Sequence, residues 1–220
     1  DQIINDLCIN NSNALILVYR ASIYGNKDMT HLGFNDITML SNMPNLMYLA
    51  PTTVEELESS IRYGLEDHNH PIAIRIPVGV PINDTAQSDT IDKPVTSYAV
   101  TQSGNTIAII GIGNFYHKAV ELSHAIRETT HISPTIIKPL CISSLDTDTL
   151  NELTKDHHIV ITLEDGELEG GYGQKIASYY GKTSMKVLNY GISKQFYDRY
   201  KPEDVLQQNH LDFEHILPQN

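Results

Sequence analysis

The sequence predicts an α/β fold of two consecutive domains with mainly parallel sheets flanked by helices. Two observations carry this. Short apolar runs of strand length alternate with segments whose apolar residues recur at helical spacing, a βαβα order that pairs strands in parallel with helices on both faces. One stretch, Val80 to Lys93, breaks the alternation: it is rich in Pro, Asp, Thr and Ser, lacks periodicity and reads as a linker. The expected division is a first unit over residues 1–80, a linker over 81–95 and a second unit over 96–220.

In chain order, Asp1 to Cys8 places Ile3, Ile4, Leu7 and Cys8 at helical spacing with no capping residue before them, so it reads as a helix entered in its middle. Ala14-Leu15-Ile16-Leu17-Val18-Tyr19 is a continuous apolar run, the mark of a parallel strand buried on both faces. The stretch from Arg20 to Asp36 is then a loop at the carboxyl end of that strand, where open α/β sheets bind ligands. It holds a fixed cation (Arg20), a titratable imidazole (His31) beside Thr30, a glycine hinge (Gly25), and Asn35 or Asp36 placed to cap the helix that follows over 35–41. From residue types alone, His31 reads equally as a loop histidine bonded to backbone, and Arg20 as a surface ion-pair partner.

Leu46 to Leu49 is the next strand, ending at Pro51. Thr52 with Glu55, or Thr53 with Glu56, makes a capping box for a helix that sets Val54, Leu57, Ile61 and Leu65 along one stripe. His68 and His70 read as part of a solvated turn before Pro71, and Ile72 to Pro77 is a strand. In the second unit, Tyr98 to Val100 and Thr106 to Ile110 are strands joined by a turn at Ser103-Gly104-Asn105. Gly111-Ile112-Gly113 leads into a helix over 116–129. A dinucleotide fingerprint is rejected there, because its third glycine position is Tyr116; a tight strand-to-helix turn remains. Thr135 to Leu140 is a strand, Leu145 to Lys155 a helix, and Ile159 to Leu163 a strand ending in Glu164-Asp165. Gly170-Gly171-Tyr172-Gly173 opens a helix from Gln174 to Tyr180, Val187 to Gly191 is the last strand, and Pro202 and Asp204 begin a helical tail.

Composition narrows the functions. Fifteen basic against 27 acidic residues give a net charge of −12, which argues against nucleic acid and against an anionic membrane surface. A phosphorylated metabolite stays open, since it needs only a local cationic pocket. Cys8 and Cys141 make neither a metal-ligand pair nor a disulfide framework, and a reducing cytoplasm is the natural setting. No run approaches the ~18 apolar residues of a membrane span.

Several small motifs occur in a fixed order. Arg20-Ala21-x-Ile23-x-Gly25 is followed by Thr30-His31-x-Gly33-x-x-Asp36, then Met43-Pro44-Asn45-Leu46, then Ala50-Pro51-Thr52. Lys138-Pro139-Leu140, Leu163-Glu164-Asp165-Gly166 and Gly170-Gly171-Tyr172-Gly173 continue the series. Together they resemble the transketolase superfamily, and within it the 1-deoxy-D-xylulose-5-phosphate synthases, over essentially the whole chain. The resemblance implies that residues 1–80 are part of a domain that binds the pyrimidine of thiamine diphosphate. It implies that 96–220 are the transketolase C-terminal domain, which supports dimerisation and does no chemistry. The paired carboxylates Glu164-Asp165 are then expected to be structural. The Asp-Gln helix at the start lies deep inside the pyrimidine domain of the family, so the chain is expected to be the C-terminal portion of a longer protein.

The implied reaction takes pyruvate and glyceraldehyde 3-phosphate toward isoprenoid precursors. His31 occupies the position that donates to the aldehyde oxygen, and Arg20 the position that contacts the acceptor. Three departures go with this. The family's Gly-Asp-Gly metal-diphosphate motif, its activating glutamate and its stacking aromatic fall outside the chain, so thiamine diphosphate and Mg2+ are expected in the complete protein with their main ligands elsewhere. The family's acidic residue four before the histidine is Lys27, with Asp28 beside it as the substrate-binding candidate. The arginine that holds the substrate phosphate is Val78, and Arg75 matches a different arginine whose expected use is an ion pair. Expected partners are a second copy in a homodimer, the N-terminal part of the same protein and a small phosphorylated substrate. Another sugar phosphate, a catalytically decayed dimerising or regulatory paralogue, and the β subunit of a 2-oxo acid dehydrogenase are the alternatives. The Thr30-His31-Leu32-Gly33 stretch argues against the last.

Overall fold

The structure, a computed structural model, describes residues 1–24, 28–66, 68–77 and 95–212. Gly25, Lys27 and Val78, and all of the expected linker except Val95, lie outside the described residues.

Two sheets form as the alternation predicts. In the first, β1 (Leu15–Val18), β2 (Met47–Leu49) and β3 (Ile72–Arg75) run parallel in the order β1-β3-β2. In the second, β4 (Ala99–Gln102), β5 (Thr106–Gly111), β6 (Thr135–Lys138), β7 (His157–Glu167) and β8 (Lys186–Ile192) take the order β4-β6-β5-β7-β8. All its pairings are parallel except that of the edge strand β4, which meets β6 antiparallel. The helices are α1 (Asp36–Leu40), α2 (Val54–Gly64), α3 (Tyr116–Thr130), α4 (Thr147–Leu153), α5 (Tyr172–Tyr180) and α6 (Pro202–Gln208). Among the described residues, no helix is long and apolar enough to cross a membrane.

The sheets are not independent. The chain leaving β6 pairs with the outer edge of β2: Ala50 N–H donates to Leu140 O and Ile142 N–H to Tyr48 O, both at 2.8 Å. An edge strand left open exposes unpaired amides, and these bonds close it. The core crosses the same seam, with Ile37, Tyr48 and Ala50 packed in one cluster with Ile142, Leu150, Tyr172 and Ile176. A division into two sequence units therefore builds one continuous packed body.

Several local expectations are corrected. The helix at Ile3–Cys8 is of the wide π type, with Ile9 N–H reaching back to Ile4 O at 2.9 Å. Neither Asn35 nor Asp36 caps α1 with its side chain; Asn35 is the N-cap residue without such a bond, and the Asp36 carboxylate turns to Tyr48 and Arg75 instead. At α2 the cap is Thr53, whose hydroxyl accepts from Glu56 N–H, while Glu56 reaches past it to the N–H of Thr52 at 2.8 Å. Leu65 is 73% exposed, because the helix ends at Gly64 and its buried face runs through Ser60 and Gly64. His68 and His70 do not form a free solvated turn: His68 bonds to Tyr63 O at 2.6 Å and its ring lies against both Tyr63 and His70.

Candidate functional site

β1 delivers the chain to a loop that folds back on itself within a few residues. Arg20 and Ser22 both take positive φ, 59° and 92°, uncommon conformations for residues with side chains. The return crossing is at Gly33, whose carbonyl accepts from Ser22 N–H at 2.8 Å. A Cβ at Gly33 would stand 2.0 Å from Arg20 O, so only glycine closes this loop. Beneath it, buried Phe34 packs its ring against Tyr197 and Tyr200, with centroids at 5.4 and 5.5 Å. The segment after β8 thus supports the loop from below.

Met29–His31 form one 3-10 turn, closed by His31 N–H to Asp28 O at 2.8 Å. The Thr30 hydroxyl meets His31 Nδ1 at 2.8 Å. Arg20, His31 and Asp36 all line one cleft of about 370 Å³, whose apolar wall includes Val18, Leu32 and Leu40. The structure therefore brings together two of the three residues that the sequence singled out. The third, Asp28, is exposed and directs its carboxylate to Arg199 Nε at 3.2 Å. An exposed pair of this kind contributes little stability.

Asp36, a motif residue expected as a helix cap, is the cleft's carboxylate. It accepts from Arg75 Nε at 2.7 Å, from Arg75 Nη2 at 3.2 Å and from the Tyr48 hydroxyl. Arg75 also bonds Asp165, in β7 of the second sheet. Burial opposes the Arg75 charge, but Asp165 and Asp36 outweigh it and hold the guanidinium firmly protonated. Burial, aided by the Asp36 charge, pushes the Tyr48 phenol above its ordinary value. The ion-pair role expected of Arg75 is what the geometry shows. Its partners were hidden in sequence, although an arginine closing the apolar run Ile72-Ala73-Ile74-Arg75 signals a buried charge that needs a carboxylate.

Among the described residues, no three His, Cys, Asp or Glu side chains converge as a metal site. Asp36 is neutralised by Arg75 and not presented to a cation. The cleft thus offers an imidazole and a guanidinium over an apolar wall, a set suited to an anionic or carbonyl-bearing molecule and not to a divalent ion.

Sequence comparisons show a family. The sequence model of the transketolase C-terminal domain matches residues 97–216, and that of the transketolase pyrimidine-binding domain matches residues 1–80. The chain belongs to the transketolase family. Curated relatives narrow this further: 1-deoxy-D-xylulose-5-phosphate synthase of Clostridium tetani is 32% identical over 99% of this chain, and that of Chlorobaculum tepidum 26% identical over 98%. The chain spans about a third of those relatives, 35% and 34% of their lengths. A solved structure described as "Split gene transketolase, inactive beta4 tetramer" shares the fold, with a TM-score of 0.84 at 20% identity over 98% of this chain and 68% of that one.

Proposed function

We propose that this chain is the C-terminal portion of a thiamine-diphosphate-dependent transferase like 1-deoxy-D-xylulose-5-phosphate synthase, joining a two-carbon unit from pyruvate to glyceraldehyde 3-phosphate. The supporting observation is the cleft at the carboxyl end of β1, where Arg20 and His31 meet. Residues 1–80 form part of the pyrimidine-binding domain, 81–95 the linker and 96–220 the C-terminal domain. When bound, thiamine diphosphate supplies the carbon nucleophile. This chain's own residues serve the acceptor. With the Thr30 hydroxyl donating to His31 Nδ1, the ring proton sits on Nε2, which donates toward the aldehyde oxygen as negative charge develops there. Arg20 pairs with the phosphate or hydroxyls of the acceptor. Asp28 stands on the same loop and accepts a substrate hydroxyl on exchanging it for Arg199.

Among the described residues no cluster of His, Cys, Asp or Glu would hold Mg2+, and the main ligands of Mg2+ and thiamine diphosphate are assigned to the remaining length found in the relatives. The chain is accordingly inactive alone, works in the cytoplasm, and assembles as a homodimer with that N-terminal part. A second reading, transfer between other sugar phosphates or a decayed paralogue, draws on Val78 standing where the family's phosphate arginine is expected.

The test combines this chain with its N-terminal part, thiamine diphosphate, Mg2+, pyruvate and glyceraldehyde 3-phosphate, and follows carbon dioxide and product. Turnover that falls about 100-fold or more on His31→Ala supports the reading. Transfer that needs no pyruvate points to a transketolase. No turnover with any donor, from a folded assembly, favours the decayed paralogue.

A further inference from the structure

Where the two sheets meet, one guanidinium is shared by carboxylates from opposite sides. Arg75, at the end of β3, is 3% exposed; Asp165, in β7, is fully buried. Arg75 holds Asp36 with Nε and Nη2, and gives Nη1 to Asp165 Oδ1. Gly113 explains how the guanidinium fits. It sits at φ +53°, and a Cβ there would stand 3.0 Å from Arg75 Nη1. The strand-to-helix turn Gly111-Ile112-Gly113 is the recess that admits Arg75.

Stability alone does not account for Asp165. Its second oxygen, Oδ2, is buried with no hydrogen-bond partner among the described residues. A buried carboxylate served on one oxygen costs free energy, and buried ion pairs generally contribute orientation more than stability. The electrostatics of the cleft supply the missing use. Asp36 lines the same wall as Arg20 and His31. Without Arg75 its charge would repel a phosphate drawn to Arg20; the Arg75 guanidinium beside it offsets that repulsion, and Arg20 remains the cation of the cleft.

We infer that Arg75 and Asp165 are positioning residues for the cleft: from the second sheet, Asp165 orients Arg75, and Arg75 fixes and neutralises Asp36 beside Arg20 and His31. The C-terminal unit thereby sets the charge that an anionic acceptor meets. This rests on reading the cleft as the acceptor site, and two measurements separate the two claims.

The first needs no ligand. Hydrogen exchange of the Asp36–Leu40 amides is followed in the wild type, in Asp165→Asn, and in Leu163→Ala, a cavity in the same strand two residues earlier. Asp165→Asn should speed exchange in α1 about tenfold or more, against little change in Leu163→Ala at a matched loss of melting temperature. Equal effects of the two variants, or none from Asp165→Asn, overturn the inference. The second uses glyceraldehyde 3-phosphate to protect His31 from diethyl pyrocarbonate in the assembled protein. Arg75→Met should weaken protection about tenfold or more, and adding Asp36→Asn should restore it, because removing the orphaned carboxylate removes the repulsion. A double variant as weak as the single one overturns the charge role. If the wild type shows no protection, the acceptor reading fails, while the exchange result still decides the positioning. If Arg75→Met does not fold, the nearly isosteric Asp165→Asn carries both measurements.

Discussion

Glu164 and Asp165 are neighbours on one strand, yet they face different tasks. The Asp165 side chain meets Arg75, whereas Glu164 accepts from the N–H groups of Tyr172 and Gly173, both at 2.9 Å, at the start of α5. Burial pushes the Glu164 carboxyl up to about 7 from its ordinary value of 4.5; the two amides and Arg75 oppose the rise and Asp165 adds to it. A carboxyl raised on folding binds protons more tightly in the native state, so its stabilisation is complete below pH 4.5 and is lost as pH climbs through about 7. The loss is on the order of 3 kcal/mol. Between pH 5 and 8 the wild type should lose melting temperature more steeply than Glu164→Gln; identical slopes would remove Glu164 as the cause. From sequence, the adjacent carboxylates read as structural, and each has hydrogen-bond partners inside the fold. Their separate partners were not visible, because a strand sends successive side chains to opposite faces and each face meets something different. Arg20 and His31 were visible as candidates, since a cationic and a titratable residue in a loop after an apolar run stand out locally.

At the level of elements, strands and helices fall where apolar periodicity placed them, and the differences lie at their ends. The first helical turn of α2 shows why. Either Thr52 or Thr53 satisfied the capping pattern in sequence; the structure uses Thr53 as the cap of Glu56 N–H and gives Thr52 to the Glu56 carboxylate. Thr53→Ala should therefore cost about 1 kcal/mol in denaturant unfolding, the ordinary worth of an N-cap. A variant as stable as the wild type would show that the bond carries no net stabilisation. Asp36 makes the opposite case. Its sequence position fits a cap, but a buried arginine competes for the carboxylate more strongly than a solvated helix end, and the cap is lost. The antiparallel pairing of β4 was likewise undetermined by its sequence, since direction depends on which neighbour the strand finds.

Across the whole molecule, the backbone bonds between 140–142 and β2, the shared core and the Arg75 clamp all cross between the two sequence units. Melting should accordingly give one cooperative transition, with far-ultraviolet and near-ultraviolet circular dichroism curves that coincide. Two separated transitions would mean that the seam between the sheets opens before the sheets themselves unfold. The sequence by itself determined the alternation of strands and helices, the position of the loop after β1 and the residues it carries. These follow from local periodicity and from the chain direction of a parallel strand. Tertiary structure alone decided that Arg20 and His31 share a cleft with Asp36 while Asp28 turns to Arg199. It also decided that Arg75 joins carboxylates 39 and 90 residues away along the chain. Ion pairs at such separations leave no periodic trace, because they exist only after hydrophobic packing has brought the two sheets together and excluded the water that would otherwise solvate each charge.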